Sequence, residues 1–109
     1  MAKQLTITYD EKEYTLEFNR DSVRLLERAG FDPNLLGSQP VSMLPMLFEG
    51  AFRMHHRRLD KDVISRIYKS MKNKDKLLEA LAEMYREPVE ALFDEPEENE
   101  GNAEWGKNF

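Results

Sequence analysis

The stretch Ser42-Met-Leu-Pro-Met-Leu-Phe-Glu-Gly-Ala-Phe-Arg-Met-His-His-Arg57 limits what this chain can fold into more than any other. Read at helical spacing, it is apolar on most of its circumference. Leu44, Leu47, Phe48, Ala51 and Phe52 recur on one wide face, and Met43, Met46 and Met54 fall largely outside it. Such a helix must be covered on most sides, by its own domain or by a partner. The spacing therefore predicts a central helix from Met43 to about Arg58. Ser42 fits the N-cap, and Pro45 fits the first turn, where a missing N–H costs nothing. Gly50 and Ala51 leave room for another backbone at mid-helix. Methionine adapts to irregular surfaces, so Met43, Met46 and Met54 are candidate partner contacts, although for any single Met a place in the core is the commoner outcome.

The remaining elements have to supply that cover. From Lys3 to Phe18, Leu5, Ile7 and Tyr9 alternate with polar residues, as do Tyr14, Leu16 and Phe18, on either side of Asp10-Glu-Lys12. That is a β-hairpin with one face on a core and the other in water. A lone hairpin is marginal and needs a helix against it. A short helix follows, from Arg20 to Ala29, capped by Asn19 or Asp21. Its apolar side is Ser22, Leu25, Leu26 and Ala29. Gly30 stands at the position after its end, and Phe31 where a Schellman-type apolar contact falls. Asp32 to Gly37 reads as a single turn. Asp60 caps a helix from Lys61 to Met71, with Val63, Ile64, Ile67, Tyr68 and Met71 as its stripe. Asn73 caps a last helix from Lys74, with Leu77, Leu78, Leu81, Ala82 and Tyr85, then Val89, Leu92 and Phe93. Pro88 predicts a break or kink at Arg86-Glu87 and a short final turn.

The fold class that results is α+β and mainly helical: an N-terminal β-hairpin packed on a bundle of about four helices. At 109 residues it is one domain over 1–93, followed by an acidic tail over 94–109. The tail carries six acids and one base, a net −5, while residues 1–93 carry fifteen of each. The folded part is thus neutral, which argues against nucleic acid as a partner. Asp94 to Asn102 offers no apolar residue to pack and is expected to be disordered when alone. Yet Trp105 and Phe109 close the chain. With Phe93 they are candidate contacts for a partner, as in a linear motif that orders on binding; the bland alternative is solubilising charge with incidental aromatics.

Chemistry finds little footing. With no cysteine, disulfides, thiolate metal sites and cysteine nucleophiles are excluded, and an intracellular setting fits. His55 and His56 are the only histidines. On a helix they would diverge by about 100°, which does not suit one metal. One is expected against the core and the other in water. Glycines fit no phosphate loop, and no Ser/His/Asp arrangement can be placed. No catalytic, cofactor or metal site is expected. No apolar run is long enough to cross a bilayer, and no leader-like core opens the chain, so the expectation is a non-enzymatic protein of the cytoplasm. Self-association is a further expectation, because so apolar a helix is hard to cover in a small domain.

Many weak features, in order and spacing, carry a resemblance. They are Tyr14-Thr-Leu-Glu-Phe18 with the helix after it and Ala29-Gly30-Phe31; Met43-Leu-Pro-Met-Leu-Phe-Glu-Gly-Ala-Phe52 with His55-His56; Ile67-Tyr68; Leu81-Ala-Glu-Met-Tyr85; Leu92-Phe-Asp-Glu-Pro96; and Gly101-Asn102 with Trp105. Across nearly its whole length the chain resembles the tail assembly chaperones of tailed phages and prophages of Gram-positive bacteria. The resemblance implies a non-enzymatic protein of virion morphogenesis in the host cytoplasm. It would bind and shield the tape-measure protein and help recruit tail-tube subunits, with no cofactor. Members of that wider family are often made in a short and a frameshift-extended form. The alternative from the residues alone is a small phage-encoded regulatory adaptor or inhibitor that acts through its acidic tail.

Overall fold

The computed structural model describes residues 3–94 and 103–109. The fold is α+β and mainly helical, with the hairpin packed on four helices. Strand β1 (Gln4–Tyr9) pairs antiparallel with β2 (Lys12–Glu17), with Thr6 opposite Thr15 and Ile7 opposite Tyr14. The two-residue turn, Asp10 and Glu11, has positive φ at both positions (51° and 65°). This is the mirror-image turn whose twist suits a two-residue hairpin. Ile7, Tyr14 and Leu16 are buried, as the alternation predicts. Glu17, which the same alternation assigns to water, is buried too.

Helix α1 (Arg20–Arg28) begins with a reciprocal cap. The Asn19 side chain accepts from the Ser22 N–H, and the Ser22 hydroxyl accepts from the Asn19 N–H, both at 2.8 Å. It ends as a Schellman motif: Gly30 (φ +99°) turns left-handed, and the N–H groups of Phe31 and Gly30 donate to Leu26 and Glu27. A single 3-10 turn, Pro33–Leu35, leads to α2 (Pro40–Phe52).

Helix α2 differs from expectation at both ends. It starts at Pro40, whose fixed φ suits the first helical position, so Pro45 lies inside the second turn. It stops at Phe52 rather than Arg58, and His55 and His56 sit in the turns that follow. Met43, expected outside the apolar face, is buried (7% exposed). The central position is as read: α2 packs against β2, α1, α3 and α4. What approaches Gly50 is a side chain and not a backbone. A Cβ there would lie 2.8 Å from the Leu26 methyls of α1.

Helix α3 (Lys61–Ser70) is capped by Asp60, which accepts from the Asp62 N–H at 3.0 Å. Helix α4 (Lys74–Glu90) starts after Asn73, which contributes a left-handed backbone (φ 55°) and no side-chain cap. Contrary to the predicted break, α4 runs through Pro88. The proline falls in the last turn, where it forfeits one hydrogen bond and leaves the rest of the helix intact. A 3-10 turn, Ala91–Phe93, follows, and Leu92 and Phe93 leave the core (60% and 83% exposed).

Leu16, Leu47, Phe48, Phe52, Ile67 and Leu81 form the fully buried centre. Edge-to-face aromatics extend it in two directions. Tyr85 meets Phe18 and Phe31, and Phe52 meets Tyr14 and Phe48. The disorder expected of the acidic segment falls mostly on residues 95–102, outside the described residues. Residues 103–109 have no regular secondary structure and are exposed.

Candidate partner-binding surface

An amphipathic helix has two flanks beside its buried centre, and on α1 both border depressions. Val23 and Leu26 supply the buried side of α1, together with Ser22. Leu25 and Ala29, read from spacing as core-facing, instead lie on the flank toward α2, and Leu25 is 59% exposed. There they line a groove of about 320 Å³ with Leu26, Met46 and Gly50. Because Gly50 carries no side chain, Leu26 packs onto α2 and the groove keeps a shallow apolar floor. One end is polar. Arg53 donates to Glu49 at 2.8 Å, and Lys61 lies beside them. On the other flank of α1, Arg20, Val23, Arg24 and Glu27 face Pro88, Val89 and Leu92 across a smaller hollow of about 200 Å³.

The residues singled out from sequence do not form one surface. Met46 is half-buried in the α1–α2 groove. Met43 is inside the core and presents nothing to a partner in this conformation. Met54 (37% exposed) stands on the turn after α2, and Phe93 at the far end of α4. Trp105 and Phe109 are exposed, and the Lys107 ammonium lies over the Phe109 ring at 5.9 Å. Spacing alone missed Leu25. Only the packing of α1 against both α2 and α4 shows which flank stays open.

The two histidines do something their helical reading did not foresee. Arg53 gathers the turn after α2 by donating to the carbonyls of Arg57 and Leu59. This sets both imidazoles against β2. His55 Nε2 lies 2.8 Å from Glu17 Oε1, which also accepts from Gln4 Nε2 at 2.7 Å. His56 Nε2 accepts from the Thr15 N–H at 3.0 Å, and its ring meets Tyr14 edge-on. Burial, then the charge of His55, holds the His56 pKa below its ordinary value, as an accepting nitrogen requires. The hydrogen bonds from His55 and then Gln4 hold the Glu17 carboxyl below its ordinary range. One histidine against the core is as expected, but the other is partnered, and neither is helical. Among the described residues no three His, Asp or Glu side chains converge as metal ligands. No helix among them is long and apolar enough to cross a membrane.

The family model described as Domain of unknown function (DUF5055) matches residues 1–109. No curated protein and no solved structure is similar to the chain.

Proposed function

This chain belongs to the DUF5055 family, and we propose that it is a non-enzymatic tail assembly chaperone of phage morphogenesis, acting in the host cytoplasm. Its clients would be the tape-measure protein, which it shields, and tail-tube subunits, which it helps to recruit. The resemblance motivates the reading. The observation that carries it is the open α1–α2 groove, where Leu25 and Met46 offer apolar surface to a partner helix. A tape-measure protein is a long helix with apolar repeats, which is the shape such a surface can cover. Trp105 and Phe109, both exposed, suit a second contact.

The test is co-expression with the tape-measure protein encoded beside it, followed by measurement of stoichiometry. Recovery of many copies on one partner, stable to moderate salt and lost in Leu25→Asp, supports the chaperone. The regulatory adaptor is the second reading, favoured by the exposure of the tail aromatics. A salt-labile one-to-one complex with a host protein, abolished by removing residues 94–109, replaces the chaperone with the adaptor.

A further inference from the structure

The outer edge of β1 is an unsatisfied surface of a different kind. In an antiparallel pair, residues alternate between those bonded to the partner strand and those whose N–H and C=O point away. The Thr15 N–H donates to His56, so Thr15 and its partner Thr6 are an outward pair. By the same parity Gln4, Thr6 and Thr8 direct their backbone groups away from β2. Among the described residues no hydrogen bond reaches them from any other element. Their side chains are exposed and uncharged, so the edge lacks the lysine, proline or bulge that ordinarily keeps a bare strand from pairing.

Beside this edge runs one stripe of α4. Lys76, Ala80, Glu83 and Glu87 fall within a narrow arc of the helix, with Lys72 just before it. Lys72, Lys76 and Ala80 face Thr6 and Thr8 across an open channel of about 460 Å³. Glu83, Glu87, Glu90 and Asp94 line its continuation with Arg86 and Lys3, and Lys3 pairs with Glu83 at 2.8 Å. The acidic end keeps a net −2 after those two bases are counted, against +2 at the other end. The stripe is therefore basic, small, then acidic, and β1 lies antiparallel to it with Thr6 near Ala80. Glu87 also holds a carboxylate oxygen shut off from solvent with no hydrogen-bond partner among the described residues.

We propose that this face binds a second copy of the same chain about a two-fold axis passing close to Thr6 and Ala80. The β1 edges pair antiparallel, Thr6 opposite Thr6 and Gln4 opposite Thr8 of the second copy, so the two hairpins become one four-stranded sheet. The same axis reverses the α4 stripe. It sets Lys76 beside Glu83 of the second copy and Lys72 beside its Glu87. An isologous interface demands such self-complementarity, and a sequence of charges that reads basic-to-acidic about a small residue has it. The chain's own tail is a poorer occupant. It leaves at Asp94 beside the acidic end, carries further acids, and contains Pro96, which cannot donate to a ladder. This inference does not depend on the identity of any client.

Sedimentation velocity on the full chain tests it. A two-fold dimer forming between about 1 and 100 μM is expected, typical of modest interfaces. Thr6→Pro removes an outward N–H that β2 does not use, so it should leave the circular dichroism spectrum unchanged and the protein monomeric. Lys76→Glu should weaken association about tenfold by turning an attraction into a repulsion. Adding Glu83→Lys to it should restore most of the loss, because the reversed pair is again opposite in charge. Amide exchange should slow at Thr6 and Thr8 as concentration rises. A monomer throughout that range, or a dimer indifferent to both Thr6→Pro and Lys76→Glu, overturns the proposal.

Discussion

The two edges of the hairpin begin from similar residues and end in opposite conditions. On β2, the outward positions Thr15 and Glu17 meet the turn after α2, where His56 takes the Thr15 N–H and His55 takes the Glu17 carboxylate. On β1, the outward positions Thr6 and Thr8 meet an open channel. The difference arises from sequence order. Helix α2 packs on β2, so the turn at its end falls on that edge, whereas among the described residues the β1 channel is walled by the start of the α4 stripe and the turn before it. A strand edge is closed by whichever chain end happens to be delivered to it, and side-chain chemistry then finishes or leaves the work.

Removing the support beneath the closed edge gives the largest expected effect. Phe52 is fully buried between Tyr14 and Phe48 and carries the turn that seals β2. Phe52→Ala should lower the unfolding free energy by about 3–5 kcal/mol in urea titrations. Attacking the seal itself costs less. His56→Ala leaves the Thr15 N–H without its acceptor and should cost about 1–3 kcal/mol, with faster exchange of the Thr15 amide. The matching change on the other edge, Thr8→Ala, should stay within about 0.5 kcal/mol in dilute solution. Equal losses at the two edges would abolish the contrast.

Acid should open the closed edge selectively. Burial holds the His56 pKa below its ordinary 6.5, so the folded protein takes up this proton later than the unfolded chain does. The stability tied to neutral His56 is complete above pH 6.5 and is lost as pH falls below it. The Glu17 carboxyl, held below its ordinary 4.5, adds a second loss as pH falls below that value. Denaturant midpoints measured across pH should fall in these two steps, and His56→Leu should remove the first. A change of opposite sign is expected at the turn joining the edges. Glu11 holds φ +65° without being glycine, so Glu11→Gly should stabilise by about 0.5–1 kcal/mol.

What the sequence disclosed depended on how local the governing physics is. Gly30 with Phe31, the hairpin and the α3 stripe are set by nearby residues and are found as read, and of the two caps offered for α1 the structure uses Asn19. The two prolines misled for one reason. Pro40 opens α2 three residues before the expected start, and Pro88 sits so near the end of α4 that its lost bond is cheap; both outcomes depend on packing. Spacing put Leu25 on the core side of α1 and left Val23 out, and packing reverses the two because α1 has apolar residues on both flanks. Met43 reads as peripheral only while α2 is considered alone. The roles of Glu17, His55 and His56 depend on contacts across 38 and 41 residues, which no spacing pattern encodes.

The Lys3–Glu83 pair joins positions 80 residues apart, and so dates the two sides of the β1 channel. On a ribosome adding about 5–20 residues per second, the first strand waits roughly 4–16 s before the helix that flanks it has been made. For that interval, hairpins on neighbouring nascent chains present each other with bare strand edges and no α4 charges to set direction or register. Once α4 arrives, its basic-to-acidic stripe favours one antiparallel alignment over any other.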